Sequence, residues 1–485
     1  MASLMIQGCG SDVGKSVLVA GLCRLFANRG VSVRPIKPQN MSNNAAVTAD
    51  GGEIGRAQAL QAMACRVPPT VDMNPVLLKP QSDVGAQVIV RGKRVGNQQA
   101  STYQGNKGAL LDVVLDSFHR LQSECDLVLV EGAGSPAEIN LRANDIANMG
   151  FARAANVPVA LVGDIDRGHV IAALVGAHSV LDAADRAMIA GFIINKFRGD
   201  PALFTDGRAE IVRRTGWRDY GMVSWLPAAR RLPAEDAVVL QAEAQVGRKS
   251  MKVASLLLPH IANFDDFDPL QADPNVAFMY VTPGMAVPGD VDLLIIPGTK
   301  TTLGDLAFLR QQGWDVDIAA HVRRGGRVLG ICGGMQMLGM RIADPGGIEG
   351  APAEADGLGY LDLETLLTED KVLRPVTGHL TDGGGHFQGY EMHVGRTTGP
   401  ALGRPFATLD EGRTDGAVSG NGRIAGTYVH GLLQSGAARA AILGVGARAR
   451  DHQFVVDALL DEIAAALEQA LDVPALATLA GLKLP

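Results

Sequence analysis

Cysteine is scarce: five in 485 residues, at Cys9, Cys23, Cys65, Cys125 and Cys332, with no C-x-x-C pair and no metal-ligand cluster. That argues against a zinc module, and an odd, dispersed set suits a reducing compartment better than a disulfide scaffold. No apolar run reaches the roughly 20 residues that cross a bilayer, so no membrane partner is expected. The first residues, MASLMIQGCGSDVGKS, break a short apolar run with glycines and do not make a signal peptide. A cytoplasmic location is the expectation. Basic residues are scattered and the net charge is −7, which disfavours a nucleic-acid surface. No repeat of fixed period is visible. What remains is the composition of a soluble enzyme, 47% hydrophobic and 20% charged, long enough for about two to four domains.

Short apolar runs at residues 4–6, 31–36, 127–130, 157–162 and 188–194 read as buried strands. Near-continuous apolar character fits a parallel sheet covered on both faces. Helical patterns lie between them at 15–27, 53–64 and 107–121. The pattern breaks from Pro227 to Ser250 and restarts with strands at 253–258, 276–281, 293–296 and 328–331. The expected fold class is α/β, with two doubly wound parallel-sheet domains. Expected boundaries are 1–235, a linker at 236–250, a second domain at 251–440, and a helical tail at 441–485. Residues 366–399, rich in Gly, Thr and Asp, are expected to form long loops. Residues 451–471 form an amphipathic helix with Phe454, Val455, Leu459, Leu460, Ile463 and Leu467 on its apolar face.

The segment Gly8-Cys9-Gly10-Ser11-Asp12-Val13-Gly14-Lys15-Ser16 follows a strand and opens a helix. Backbone N–H groups between Gly8 and Gly14 can cradle the phosphates of ATP at a helix N-terminus. Lys15 would reach the β/γ-phosphates and the Ser16 hydroxyl would hold Mg²⁺. The glycine spacing is one residue longer than the usual P-loop. Glu131, at the C-terminal end of the 127–130 strand and followed by Gly132 and Gly134, is placed to share that metal. With Ile36-Lys37-Pro38 and Ala190–Asn195, this half resembles the dethiobiotin synthetase family, which uses ATP to phosphorylate a carboxylate or carbamate. The resemblance implies that Lys37 neutralises phosphoryl charge, that Glu53 (with Asp50 the alternative) is a further Mg²⁺ ligand, and that Asn195 faces adenine.

Val328–Gln336 contains a G-x-C-x-G core between an apolar strand and a helix, the cysteine counterpart of a nucleophile elbow. A helix N-terminus behind Cys332 would favour the thiolate. Backbone N–H groups after it, beginning at Gly333, can receive an oxyanion. His430, in Gly426-Thr427-Tyr428-Val429-His430-Gly431, is the expected base, with His379, His386 and His393 as rivals in the loop region. This half is similar to class I glutamine amidotransferases, where cysteine and histidine hydrolyse glutamine through a glutamyl thioester. The resemblance assigns the second oxyanion donor to Gly298. Most of that class carry a glutamate two residues after the histidine; this chain has Leu432.

Further blocks are specific: Lys37-Pro38-Gln39-Asn40-Met41-Ser42-Asn43-Asn44, Glu53–Gln58, Val71–Pro75, Asp164-Ile165-Asp166-Arg167-Gly168 and Leu258–Phe264. Together they resemble the cobyric acid synthase family, glutamine-hydrolysing ligases of cobalamin biosynthesis. That implies a corrinoid substrate and amidation of its b, d, e and g carboxylates. The rivals are cobyrinic acid a,c-diamide synthase, disfavoured by the 39–44 block, and a MinD-like ATPase switch, disfavoured by Cys332 and by Gly10 at the expected lysine.

Overall fold

A computed structural model describes residues 1–80, 85–99, 102, 103, 105, 107–233, 251–445 and 450–483. Two compact units emerge. One comprises Met1–Ser42, Thr48–Pro233 and Val456–Pro485; the other comprises Asn43–Val47 and Ala234–Val455. The expected linker at 236–250 lies outside the described residues. Among the described residues no helix is long and apolar enough to cross a membrane.

In the first unit six strands form one parallel sheet: β1 (Ala2–Gly8), β2 (Val33–Ile36), β3 (Leu127–Glu131), β4 (Val159–Asp164), β5 (Ile189–Phe197) and β6 (Arg218–Ser224). Their order is β6-β5-β4-β1-β3-β2. Every residue of β1, β3 and β4 is buried, as a sheet covered on both faces requires. The chain winds to either side of β1, so the strand ends around Gly8 frame the crevice where such sheets take ligands. Helix α1 (Lys15–Asn28) starts there.

The helix His452–Ala470, which precedes the last helix Val473–Ala480, contributes its greater part to this unit. It packs on α1 at Gly21, where a Cβ would lie 2.5 Å from Leu467 and 2.7 Å from Ile463. Arg24 of α1, fully buried, is paired with Asp457. Leu459, Leu460, Ile463 and Leu467 are buried as expected, whereas Phe454 is 66% exposed and off the apolar face. Another boundary also moves. The helix expected from residue 53 begins at Arg56, and Glu53–Gly55 is a short strand.

The second unit repeats the parallel theme with β7 (Met251–Leu256), β8 (Val276–Val281), β9 (Leu293–Ile296) and β10 (Arg327–Ile331). A long antiparallel pair follows, β11 (Glu364–Leu380) and β12 (His386–Thr398), and then β13 (Ile424–Thr427) and β14 (Val429–His430). The parallel sheet runs β8-β7-β9-β10-β13 and ends on the antiparallel edge Ala417–Val418. The β11–β12 pair overturns the expectation of loops at 366–399. Thr365, Leu367, Val376 and Leu380 are buried at even or odd spacing along one strand. A register shift between Leu366 and Lys371 breaks that alternation; the run Gly383–Gly385, with Gly383 at φ +82°, makes the turn, while Gly378, Gly389 and Gly395 lie within the strands.

Leu467→Ala is expected to destabilise the protein by about 2–5 kcal/mol, because it opens a cavity over α1. Phe454→Ala should change stability by less than about 0.5 kcal/mol. Urea denaturation followed by circular dichroism checks both; equal effects would contradict the packing described.

Candidate active sites

Strand order assembles the first site. Glu131 ends β3 opposite Ile6 of β1, and Lys37 follows β2, whose Ile36 pairs with Val130. Three segments distant in sequence therefore meet at one sheet edge. The Ser16 hydroxyl donates to Glu131 Oε1 at 2.8 Å, and Lys37 Nζ lies 2.9 Å from the same oxygen. Gln61, from the helix Arg56–Ala64, donates to Glu131 Oε2. Glu131 is fully buried, so these partners offset a desolvation cost of several kcal/mol. Ser16 and Glu131 present adjacent hard oxygen donors, the donor type that Mg²⁺ prefers.

Lys15 is folded into its own loop, with Nζ donating to the carbonyls of Gly10 (2.8 Å) and Gly134 (3.1 Å). Asn195, at the end of β5, donates to the Val13 carbonyl at 2.8 Å and so pins the loop. Gly14 has φ +93°, and a Cβ there would lie 2.3 Å from Asn195 Nδ2. A side chain at residue 14 is excluded by both backbone and space. At Gly8 a Cβ would lie 2.4 Å from Val13 Cγ2. Glu53 is buried and paired with the buried Lys79. Neither Gln61 nor Lys79 was singled out from the sequence, since a polar residue inside a helix or strand carries no motif.

The second site forms where β10 and β13 run side by side, with Ile331 opposite Thr427. Cys332 follows β10 in a strained conformation, φ 53° and ψ −111°, and caps the helix Gly333–Leu338. Its N–H donates to the Thr427 carbonyl at 2.8 Å, and its Sγ to the Met392 carbonyl at 3.4 Å. His430 lies three residues past Thr427, on β14, which pairs with β12 at Tyr390. The turn is held by buried Asp415, which accepts from the Thr427 hydroxyl and the Tyr428 N–H. Burial pushes the Asp415 carboxyl up to about 6.

His430 is buried. Its Nδ1 lies 2.7 Å from Asp266 Oδ2, and Gly431 N–H donates to Asp266 Oδ1 at 2.6 Å. Burial alone would push the imidazole down; the charge and hydrogen bond of Asp266, with the Cys332 thiol adding to them, push it up to about 10. Asp266 was not named from the sequence. It sits in the 3₁₀ turn Phe264–Phe267, far from the elbow in sequence, and only folding shows where it points. Tyr390 stacks on a face of the His430 ring, with centroids 5.4 Å apart.

Gly298 lies against this pair: a Cβ there would be 3.0 Å from His430 Cε1 and 3.6 Å from Cys332 Cβ. The 298–301 loop is tied by Asp305, which accepts from the Thr299 hydroxyl and from the His260 N–H. Gly333 is buried, and a Cβ on it would lie 2.8 Å from Thr299 Cγ2. Of the rival histidines, His379 and His386 face each other near the tip of the hairpin. His393 is half-buried and stacks on Tyr428 at 3.8 Å. Burial pushes its imidazole down to about 4, so it stays neutral near pH 7.

Residues 252–438 match the family model described as a CobB/CobQ-like glutamine amidotransferase domain. Residues 4–239 match that of the CobQ/CobB/MinD/ParA nucleotide binding domain. The chain is 67% identical over 485 residues to a protein of Caulobacter sp. (strain K31) named cobyric acid synthase, covering 99% of this chain and 100% of that one. Proteins of the same name from Sphingopyxis alaskensis and Rhodobacter capsulatus are 60% and 59% identical, each over 99% of this chain and over 99% and 100% of their own lengths.

At Gly334 a Cβ would lie 2.0 Å from the Ile296 carbonyl oxygen, backbone that cannot yield. Gly334→Ala is therefore expected to cost about 3 kcal/mol. Gly304, in the helix Thr302–Gln311, has nothing closer than 3.7 Å; Gly304→Ala should stabilise by about 0.5–1 kcal/mol. Thermal unfolding of the two variants separates these signs.

Proposed function

Because this chain belongs to the cobyric acid synthase family, we propose that it uses ATP and glutamine to amidate the b, d, e and g carboxylates of adenosylcobyrinic acid a,c-diamide, giving adenosylcobyric acid. The observation that carries the reading is the end-to-end match to relatives of that name in a chain holding both a P-loop and a Cys332–His430 pair. Its proposed location is the cytoplasm.

In the first unit a carboxylate oxygen of the corrinoid attacks the γ-phosphorus of ATP, and the bond to the ADP oxygen breaks. An acyl phosphate results. Lys15 leaves its loop carbonyls for the phosphates, while Lys37 offsets charge on the transferring group. The N–H groups from Gly8 to Gly14 hold the phosphates, and Asn195 is the candidate for the adenine edge. Ser16 and Glu131, with Glu53, would hold Mg²⁺, which when bound supplies positive charge to the phosphate oxygens.

In the second unit the Cys332 thiol gives its proton to His430, and the sulfur attacks the side-chain carbonyl of glutamine. The oxyanion is received by the backbone around Gly298 and Gly333. His430 returns the proton to the departing ammonia, leaving a glutamyl thioester. Water, deprotonated by His430, releases glutamate. Ammonia then attacks the acyl phosphate carbon, loses a proton, and inorganic phosphate leaves.

Cys332→Ala should abolish glutamine-dependent amidation and spare activity with ammonium salts; His430→Ala should behave alike. Lys15→Ala and Glu131→Ala should lose ~10³-fold or more with either nitrogen source. Full ammonia-dependent activity in Lys15→Ala would mean the ATP site is misplaced. The sequence holds one P-loop and one elbow, so a rigid macrocycle must leave and rebind for each arm. Free tri-, tetra- and pentaamides should accumulate under limiting ATP in a mass-spectrometric time course. Seeing only diamide and hexaamide would contradict release and rebinding.

A further inference from the structure

We infer that Asp266 is the acid of the glutaminase constellation, a positioning residue that fixes the tautomer and orientation of His430 from a segment upstream of the nucleophile. The inference rests on the reading of Cys332 and His430 given above. Both oxygens of the carboxylate are spent on adjacent groups, Oδ2 on His430 Nδ1 at 2.7 Å and Oδ1 on Gly431 N–H at 2.6 Å. Two such bonds hold the carboxylate against translation and rotation together. With Nδ1 on a carboxylate, that nitrogen carries the proton. Nε2 is thereby left as the nitrogen that exchanges a proton with Cys332, which lies with the ring against Gly298. When the thiol proton moves to Nε2, an imidazolium forms in a buried place. The Asp266 charge offsets it, and no proton needs to reach the carboxylate.

The position used by most class I amidotransferases is closed to this task. Leu432 is 2% exposed and packs in an apolar cluster with Val376, Leu380, Phe387, Leu409 and Val429. Asp266 comes instead out of the turn packed beside residues 431–434, whose Phe264 and Phe267 are anchored in the core of the parallel sheet. The other groups around His430 are Cys332 on the elbow and Tyr390 and His393 on β12, while Asp265 and Asp268 flank Asp266 in the chain and act on Tyr280. His393, neutral near pH 7, adds no charge there. Among these, Asp266 makes the ring hydrogen bond that sets the tautomer.

Asp266→Asn tests the role with little change of shape. An Asn amide can still accept from Gly431, but its NH₂ then faces Nδ1, forcing the proton onto Nε2. The full-length chain is assayed for glutamate release from glutamine across pH, and for amidation with ammonium. Glutamine kcat is expected to fall ~10²–10⁴-fold, with KM little changed and ammonium-driven amidation kept. The alkaline limb of the kcat profile should move down by about one pH unit or more, because the imidazolium loses its counter-charge. Asp266→Glu should recover part of kcat. Wild-type kcat in Asp266→Asn would overturn the assignment. So would a loss in which KM and ammonium activity decline in parallel and the alkaline limb stays in place, since that is the signature of a structural role. Cys332→Ala run alongside separates the two readings. If it still hydrolyses glutamine, the nucleophile assignment fails and Asp266 with it; if it is inactive while Asp266→Asn is normal, only the role of Asp266 fails.

Discussion

The second unit is organised around a single strained residue. Cys332 is a non-glycine held at φ 53° and ψ −111°, a conformation that costs on the order of 1–3 kcal/mol. It persists because its neighbours leave it no alternative. At Gly330 a Cβ would lie 2.6 Å from the Gly334 carbonyl, and at Gly334 one would strike Ile296. Strand, turn and helix are packed backbone against backbone. The Cys332 N–H is fastened to Thr427 on the neighbouring strand. That last bond requires β10 and β13 to be adjacent although some ninety residues separate them in the chain. The intervening hairpin uses this detour: β12 returns the Met392 carbonyl to the thiol and the Tyr390 ring to His430. Strain at one residue thus dictates the path of a long insertion.

In the first unit the governing quantity is charge. A carboxylate as deeply buried as Glu131 cannot be left unpaired without a penalty of several kcal/mol. Its partners come from three elements: Ser16 from the start of α1, Lys37 from the end of β2, and Gln61 from the following helix. Only the order β1-β3-β2 sets these at one edge. The same groups are oxygen donors and cations of the kind that a nucleotide with Mg²⁺ would engage. Glu53 and Lys79 form a second buried pair built by the same rule.

Motifs whose chemistry depends on neighbours in sequence were legible before folding. Strand, glycine loop, lysine and helix stand together at residues 2–28, and strand, cysteine, glycines and helix at 327–338. The parallel sheets were legible for a related reason, since strands buried on both faces have no alternation to obscure. The β11–β12 hairpin was hidden because one face is open to solvent. A register shift falls within the charged run Glu369-Asp370-Lys371, and glycines at the tip carry the signal of a loop. Phe454 lies off the stripe of Val456, Leu460, Ile463 and Leu467 at about 3.6 residues per turn, so its apolar character points to a face that the helix leaves in solvent while His452 and Val456 on either side are buried. Gln61, Lys79 and Asp266 share one cause: each acts on a residue far away in the chain.

Asp266 shows why a functional group can migrate in sequence while its place beside the histidine is filled. The residues after His430 are used for packing. Leu432 enters the apolar cluster under the hairpin, and Leu433 enters the core of the parallel sheet, so this one turn joins two hydrophobic clusters. Merely truncating a buried leucine costs about 2–5 kcal/mol, and a carboxylate at 432 would add the desolvation of a charge within an apolar cluster. The turn Phe264–Phe267 has the opposite character. Its two phenylalanines anchor it in the core, and the aspartates between them face elsewhere. With Asn263 at φ 54° the chain turns sharply before it, and the Asp266 N–H closes the turn on the Asn263 carbonyl. An acid there reaches Nδ1 without disturbing either cluster. Once the turn after the histidine is committed to joining hairpin and sheet, the aromatic-anchored turn packed beside it is where a carboxylate can be held at low cost.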